Sequence, residues 1–526
     1  MKKTTKSIII AVVAVVVLVG ALFAIIKFMP ENNKGDETSV TYPTDENGEQ
    51  YATDAKGNVI PSVKDKDGNI ISAGEVVLTE KGPLKLQEID VTNKFGKYTI
   101  KSTMVDLPKE KATDPDGNPT GQTKTNEYTI VGYEDAGINA GGQTEAIANS
   151  ISNLKTLDII DIKGKNLEDY GLDKPQVVVT GKYSDKTENT MKIGNDAAGS
   201  KQVYMQFGKD KAVYLVDKKS VESFYYSPLE LVSLEVYPSV KKEGELTEPI
   251  KVTLTGKNYP KKVEIESNDD VTTEAYFKSI TPDERPINVT IASEIMGSIK
   301  GLNANKVLAV NPTKDQLKKY NLDTPYAHIV ADFKTEVLTM SAGKPIEAGF
   351  IPVYSEDKDI IYSIDPTLAR WATTSYEELK YEYIAKPIIT YVEAVKVTAN
   401  GKTHTYNLDS KTAKDEEGNE TTQLVVKSND KKLNTEYFET FYQNLSAVKR
   451  EDSSDKYEKQ GNSVLTVEYI YNNDKKSDVI EYFDAGSRKY IAQVNGKSDG
   501  IVYETYIKQI GDDVKALSKN ERVDPI

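Results

Sequence analysis

The sequence predicts an α+β fold: tandem repeated units of antiparallel strands plus packed helices, preceded by one N-terminal transmembrane helix. Three observations predict it. The stretch Leu167-Glu168-Asp169-Tyr170-Gly171-Leu172-Asp173-Lys174-Pro175 returns as Leu317-Lys318-Lys319-Tyr320-Asn321-Leu322-Asp323-Thr324-Pro325. Strand-like runs such as Val177-Val178-Val179-Thr180 follow each copy. An uncharged run from Ser7 to Ile26 opens the chain between Lys6 and Lys27.

The repeated motif has a local logic. Gly171 and Asn321 share a slot, and these two residue types best tolerate the left-handed conformation that closes a helix. Leu-x-x-Tyr before the slot puts two large side chains on one helical face. Pro175 and Pro325 forbid helix continuation and favour extended geometry just before them. The unit reads as helix turn, left-handed stop, buried Leu172 or Leu322, then strand. Tyr170, Gly171, Leu172, Asp173 and Pro175, with Tyr320, Asn321, Leu322, Asp323 and Pro325, are therefore assigned as a structural motif and not an active site.

The order of segments after the first copy carries a resemblance. Val177 to Thr180 is followed by Met191-Lys192-Ile193-Gly194-Asn195, then Val203-Tyr204, then Ala212-Val213-Tyr214-Leu215-Val216. This resembles the DUF4340 family, membrane-anchored bacterial proteins whose domain has no assigned function. The second copy follows with Leu338 to Gly343, Pro352-Val353-Tyr354 and Ile360 to Ile364. The resemblance implies an envelope protein, in some members an auxiliary component of ABC-type export systems.

The opening run is long enough to cross about 30 Å of hydrocarbon at about 1.5 Å per residue. Lys2, Lys3 and Lys6 before it hold the N-terminus in the cytoplasm. The expected plan is a cytoplasmic N-terminus at 1–6, an uncleaved anchor in the lipid bilayer at 7–28, and the bulk outside the cell membrane. A cleaved signal peptide ending near Val19-Gly20-Ala21 is the rival reading. The net charge of -14 argues against a nucleic-acid partner, which needs a concentrated basic surface. With no cysteine, disulfides, thiolate metal sites, thiol nucleophiles and an acylated lipoprotein anchor are all excluded.

Residues 29–83 read as a polar, Gly- and Asp-rich stalk. Asp65-Lys66-Asp67-Gly68-Asn69 invites a calcium reading, but an EF-hand frame would put a ligand at Val63 and its last carboxylate at Gly74. Hairpin turns are the simpler account. Three units follow, at 84–227, 228–386 and a degenerate one at 387–526. In the first, Ile89 to Val91, Tyr98 to Ile100 and Tyr128 to Val131 predict strands, and Ile147, Ile151 and Leu154 a helix. In the second, Leu234 to Tyr237, Lys251 to Leu254 and Val263 to Glu266 predict strands. Thr273 to Phe277 predicts the start of a short helix, and Ile291 to Leu302 another. The third keeps only Tyr457 of the motif, as a terminal repeat is expected to deviate.

Catalytic signatures are missing. His328 and His404 fall in different units with no zinc spacing, and neither a nucleophile elbow nor a phosphate loop occurs. Glu145 and Asp169 are placed where helices display solvated carboxylates. No catalytic, cofactor-binding or metal residue is assigned and no cofactor is expected. Tyrosine, with 32 residues against 11 phenylalanines, suits protein contacts. The expectation is a noncatalytic binding or accessory protein with an envelope partner, for which the resemblance implies ABC transporter subunits (alternatively a cell-wall hydrolase using paired carboxylates).

Overall fold

The computed structural model describes residues 76–526 apart from 108–120, 122, 139–141, 157, 162, 200, 210, 241–243 and 415–419, together with short pieces between 43 and 73. The chain divides into two compact units, Met1–Val77 with Lys155–Ile160, and Leu78–Leu154 with Asp161–Ile526. The first contains two antiparallel pairings, Ala52–Thr53 with Val59–Ile60 and Ser62–Lys64 with Ile70–Ala73. The Asp-Gly segments that connect these pairs lie outside the described residues, as does the anchor expected at 7–28. Among the described residues, no helix is long and apolar enough to cross a membrane.

The larger unit is mostly β, with three antiparallel sheets and short helices. In the first sheet, β1 (Leu86–Asn93), β2 (Gly96–Asp106) and β3 (Lys124–Ile130) form one meander. Helix α1 (Gln143–Ser152) follows, and then a second meander, β4 (Val177–Tyr183), β5 (Glu188–Asp196), β6 (Gln202–Phe207) and β7 (Val213–Asp217). β1 and β4 lie side by side and join the two meanders, with Thr180 opposite Asp90.

The second sheet repeats this order. β8 (Lys251–Gly256), β9 (Tyr259–Ser267), β10 (Phe277–Thr281) and β11 (Arg285–Pro286) precede α2 (Val289–Gly297). β12 (Lys306–Val310), α3 (Lys314–Lys319) and the meander β13 (Ala327–Asp332), β14 (Val337–Ala342), β15 (Ile351–Ser355) and β16 (Ile360–Ile364) complete it, with β8 joined to β13 and β12 added beside β16. The third sheet is built likewise. β17 (Val392–Ala399), β18 (Lys402–Lys414), β19 (Glu420–Ser428) and β20 (Lys431–Lys432) precede α4 (Thr435–Ser446). β21 (Gln460–Tyr471), β22 (Asp478–Asp484), β23 (Lys489–Val494) and β24 (Lys497–Tyr503) follow, with β17 joined to β21. A closing helix, α5, spans Glu504–Ser518.

Sequence explains these elements locally. β4 alternates buried and half-buried positions along Val177, Val179 and Tyr183, the period of a strand with one covered face. Asn288 and Asn434 cap α2 and α4 by accepting from the N–H groups of Ile291 and Tyr437. One continuous apolar core, from Leu86 to Leu379, serves the first two sheets. The third sheet has its own, centred on Tyr406, Phe438, Phe441 and Tyr469.

Two extended linkers tie the sheets together by backbone hydrogen bonds. In the first, Ser233 donates to Gly137, Val236 donates to Leu302, and Leu234 accepts from Ala304. In the second, Leu379 accepts from Asn288, Ile384 donates to Val448, and Glu382 accepts from Arg450.

Four expectations are corrected. The helix read through Leu154 ends at Ser152, and Leu154 lies in the strand Asn153–Thr156. Thr273 to Phe277 starts no helix: Asp270 accepts from the N–H and hydroxyl of Thr272, Asn268 holds Ala275, and Phe277 opens β10. These local bonds offer the backbone an alternative to helix. Leu234 to Tyr237 alternates like a sheet strand but is the linker, with a single bridge between Glu235 and Asn303. The helix expected over Ile291 to Leu302 starts at Val289, where Asn288 caps it, and stops at Gly297.

Candidate functional site

The repeated motif makes the same shape twice. Gly171 has φ 67° and Asn321 has φ 57°, both left-handed. Leu172 donates its N–H to Leu167 at 2.9 Å, and Leu322 to Leu317 at 2.8 Å. Both leucines are buried, whereas Asp173 and Asp323 are exposed. Tyr170 meets the ring of Tyr204 edge-on at 5.0 Å, and Tyr320 packs with Leu322, Ile361 and Tyr354. Pro175 and Pro325 then lead into β4 and β13. A Cβ on Gly194 would collide with the carbonyl of Tyr170, and one on Gly343 with that of Tyr320. The ten motif residues thus dock each stop onto the next hairpin and bring no reactive groups together.

The other residues weighed for chemistry stay apart. Glu145 and Asp169 are both exposed. His328 lies on an open sheet face, 3.3 Å from Glu356 Oε1 and 3.4 Å from Thr255 Oγ1, while His404 sits opposite Val397 in the third sheet. Trp371 is fully buried. Among the described residues, no group of three or more His, Asp or Glu side chains is placed to hold a metal ion.

A cleft of about 590 Å³ lies between the second and third sheets. The loop before β10 supplies Asp270 and Thr272, β11 supplies Arg285, the second linker supplies Tyr381 and Tyr383 to Pro387, and the third sheet supplies Tyr471, Lys475, Asp478 and the turn around Lys497. Its rim is a closed network. Lys475 Nζ lies 2.9 Å from Asp270, 3.0 Å from Asp478 and 2.8 Å from the Thr272 hydroxyl, and 4.3 Å from the Tyr471 ring centre. Tyr471 donates to Asp478 at 2.6 Å. Burial opposes the charge on Asp270, but bonds from Thr272 and Lys475 outweigh it and hold its carboxyl below the usual aspartate value. Burial, then the charge of Asp478, pushes the Tyr471 hydroxyl far up.

A charged cluster runs inward from the wall of the cleft. Arg285 pairs with Asp499, which is only 3% exposed. Arg450, 7% exposed, donates to the carbonyl of Tyr381 and reaches Glu377. Burial, then the nearby charge of Arg285, holds its guanidinium down to about 10, with Glu377 opposing. Gly500 makes room, since a Cβ there would collide with the Arg450 stem.

The first linker offers a contrast with the same backbone pairing. Ile138 bridges Val232 and Glu235 bridges Asn303, as Ile287 bridges Lys380 and Tyr383 bridges Lys449. In that register Ala136, Leu234 and Ala304 stand where the second junction has Arg285, Glu382 and Arg450. Those three places are apolar at the first junction and charged at the second, which borders the cleft. Sequence reading missed Arg285, Arg450, Lys475 and Asp499, because their pairing joins residues up to some two hundred positions apart.

Residues 129–325 match a family model described as a domain of unknown function, DUF4340. The chain therefore contains a DUF4340 domain, and the resemblance carried by the two motifs holds over that span. No curated protein and no solved structure matches the chain.

Proposed function

We propose that this chain is a single-pass, membrane-anchored extracytoplasmic protein that works by binding, as an accessory component of an envelope assembly such as an ABC-type transport system. We read its three sheets as tandem homologous units, on their shared order of two meanders joined through their first strands. The Lys-flanked apolar run of Ser7 to Ile26 supports the anchor. The backbone-bonded linkers suit a stiff array that presents a surface to a partner.

The observation that carries the noncatalytic reading is the condition of the cleft's carboxylates. Of the five carboxylates lining it, Asp270, Glu284, Asp478 and Asp499 are each held by a cation, which leaves only Asp283 without one among the described residues, and Asp270 is displaced toward the charged form. A glycosidase acid requires the opposite displacement. The test is a photo-crosslinker placed at Tyr383 in the full chain, in the membrane of its own host. Adducts with integral or peripheral envelope proteins, absent when the crosslinker is moved to exposed Asp173, support the reading. A chain recovered in the cytosol, or wall-polymer cleavage by the purified protein, overturns it.

A further inference from the structure

At the first junction, the linker's outward backbone groups are closed off by side chains. Lys358 Nζ donates to the carbonyl of Glu235 at 3.0 Å, and the Glu235 N–H donates to Ser233 Oγ at 3.2 Å. Tyr383 is the counterpart of Glu235 by register. Its neighbours Glu382 and Ile384 spend their groups on Arg450 and Val448. In an extended segment alternate residues turn their N–H and C=O to opposite sides. Tyr383, flanked by those two bonds, thus faces away from the 448–450 segment, and Ala385 follows the bend at Ile384. They make no backbone or side-chain hydrogen bond among the described residues, and both line the cleft. The residues 448–450 do not line it.

Such an edge is a template for another strand. We propose that the cleft takes an extended peptide segment of a partner protein, added as a strand to the linker at Tyr383 and Ala385. This rests on the reading of the cleft as a docking site. Charge says more about the occupant. Around the cleft Lys386 pairs with Glu274, Lys278 with Glu284, Lys475 with Asp270 and Arg285 with Asp499. Among the described residues, the lining groups Asp283 and Lys497 have no ion-pair partner, one from the second sheet's side and one from the third's. The complementary segment carries a basic side chain toward Asp283 and an acidic one toward Lys497, around strand-forming residues that lie along the tyrosines.

The test uses the full chain in detergent and a displayed library of random eight-residue peptides. Enriched sequences are expected to combine a β-branched or aromatic middle with one basic and one acidic residue. Resynthesised with N-methyl groups on the pairing amides, the best peptide should bind about tenfold or more weakly, the scale of one lost hydrogen bond. N-methylation of the alternate amides should leave binding unchanged. Lys497→Glu should switch the preferred acidic position to basic, and Asp283→Lys the reverse. Binding indifferent to N-methylation removes strand addition and leaves the cleft as a docking site of another kind. No enrichment, while crosslinks from position 383 persist in membranes, overturns the peptide proposal alone. Loss of both sinks the docking reading with it.

Discussion

The backbone carbonyl of Tyr170 rests directly over Cα of Gly194, and Tyr320 stands in the same relation to Gly343. The helical stop and the second strand of the following hairpin are in contact at a point with no space for a methyl group. Gly194→Ala and Gly343→Ala are each expected to cost about 1–3 kcal/mol, the scale of overpacking a closed site. Urea denaturation with an unchanged m-value checks this; stability equal to wild type would contradict it.

The left-handed stop separates two substitutions that look equally mild. Gly171→Ala forces a Cβ into a region costing roughly 1–2 kcal/mol and into the side chain of Asn195. Asn321→Gly should stay within roughly 0.5 kcal/mol of wild type, because glycine adopts φ 57° freely. Thermal melts of the pair provide the comparison.

The buried ion pair gives an asymmetric prediction. Asp499→Ala leaves Arg285 beside Arg450 without its counter-charge, and should cost about 3–5 kcal/mol. Replacing Arg285 and Asp499 together by methionine and leucine should recover most of that loss, as the apolar first junction suggests. A double-mutant cycle by chemical denaturation measures the recovery.

Asp513 sets a pH dependence. Its carboxylate, on the buried side of α5, accepts from Asn444 of α4 and from Gln509 at 2.8 Å each. Burial, helped by the charges of Asp512 and Asp524, raises its pKa above 3.8 despite those bonds. The folded state therefore holds the proton more tightly than the unfolded one. This group's contribution is full below the unfolded value and declines as pH rises from about 4. Stability of wild type relative to Asp513→Asn should fall over that rise; a flat difference from pH 3.5 to 7 would refute the assignment.

Separate cores predict separate melting. Trp371, the sole tryptophan, sits in the core shared by the first two sheets, while Phe441 belongs to the third. Phe441→Ala, worth about 3–5 kcal/mol, should lower one far-UV transition and leave the tryptophan fluorescence transition in place. If both move together by the same amount, the cores are coupled.

Local chemistry was legible in the sequence where it is short-range. The left-handed slots at Gly171 and Asn321, the buried Leu172 and Leu322 and the strands could all be read from neighbours. Thr273 to Phe277 misled because Asp270 and Asn268 bind the loop from outside any helical pattern. The linker at Leu234 to Tyr237 reads as a strand, yet its single bridge joins it to Asn303, nearly seventy residues on. The cleft was invisible for a related reason: Lys475 finds Asp270 across 205 positions, and only Gly500, which spares room for Arg450, marks the spot.

The seam between β1 and β4, and that between β8 and β13, have a practical consequence for anyone excising the family match. Residues 129–325 hold the second half of one sheet and the first half of the next, while the partners of both halves fall outside the cut. Such a fragment would expose Val177–Tyr183 and Lys251–Gly256 as raw central edges, prone to self-association. The span inherited as a recognisable stretch and the span able to stand alone are offset by half a sheet.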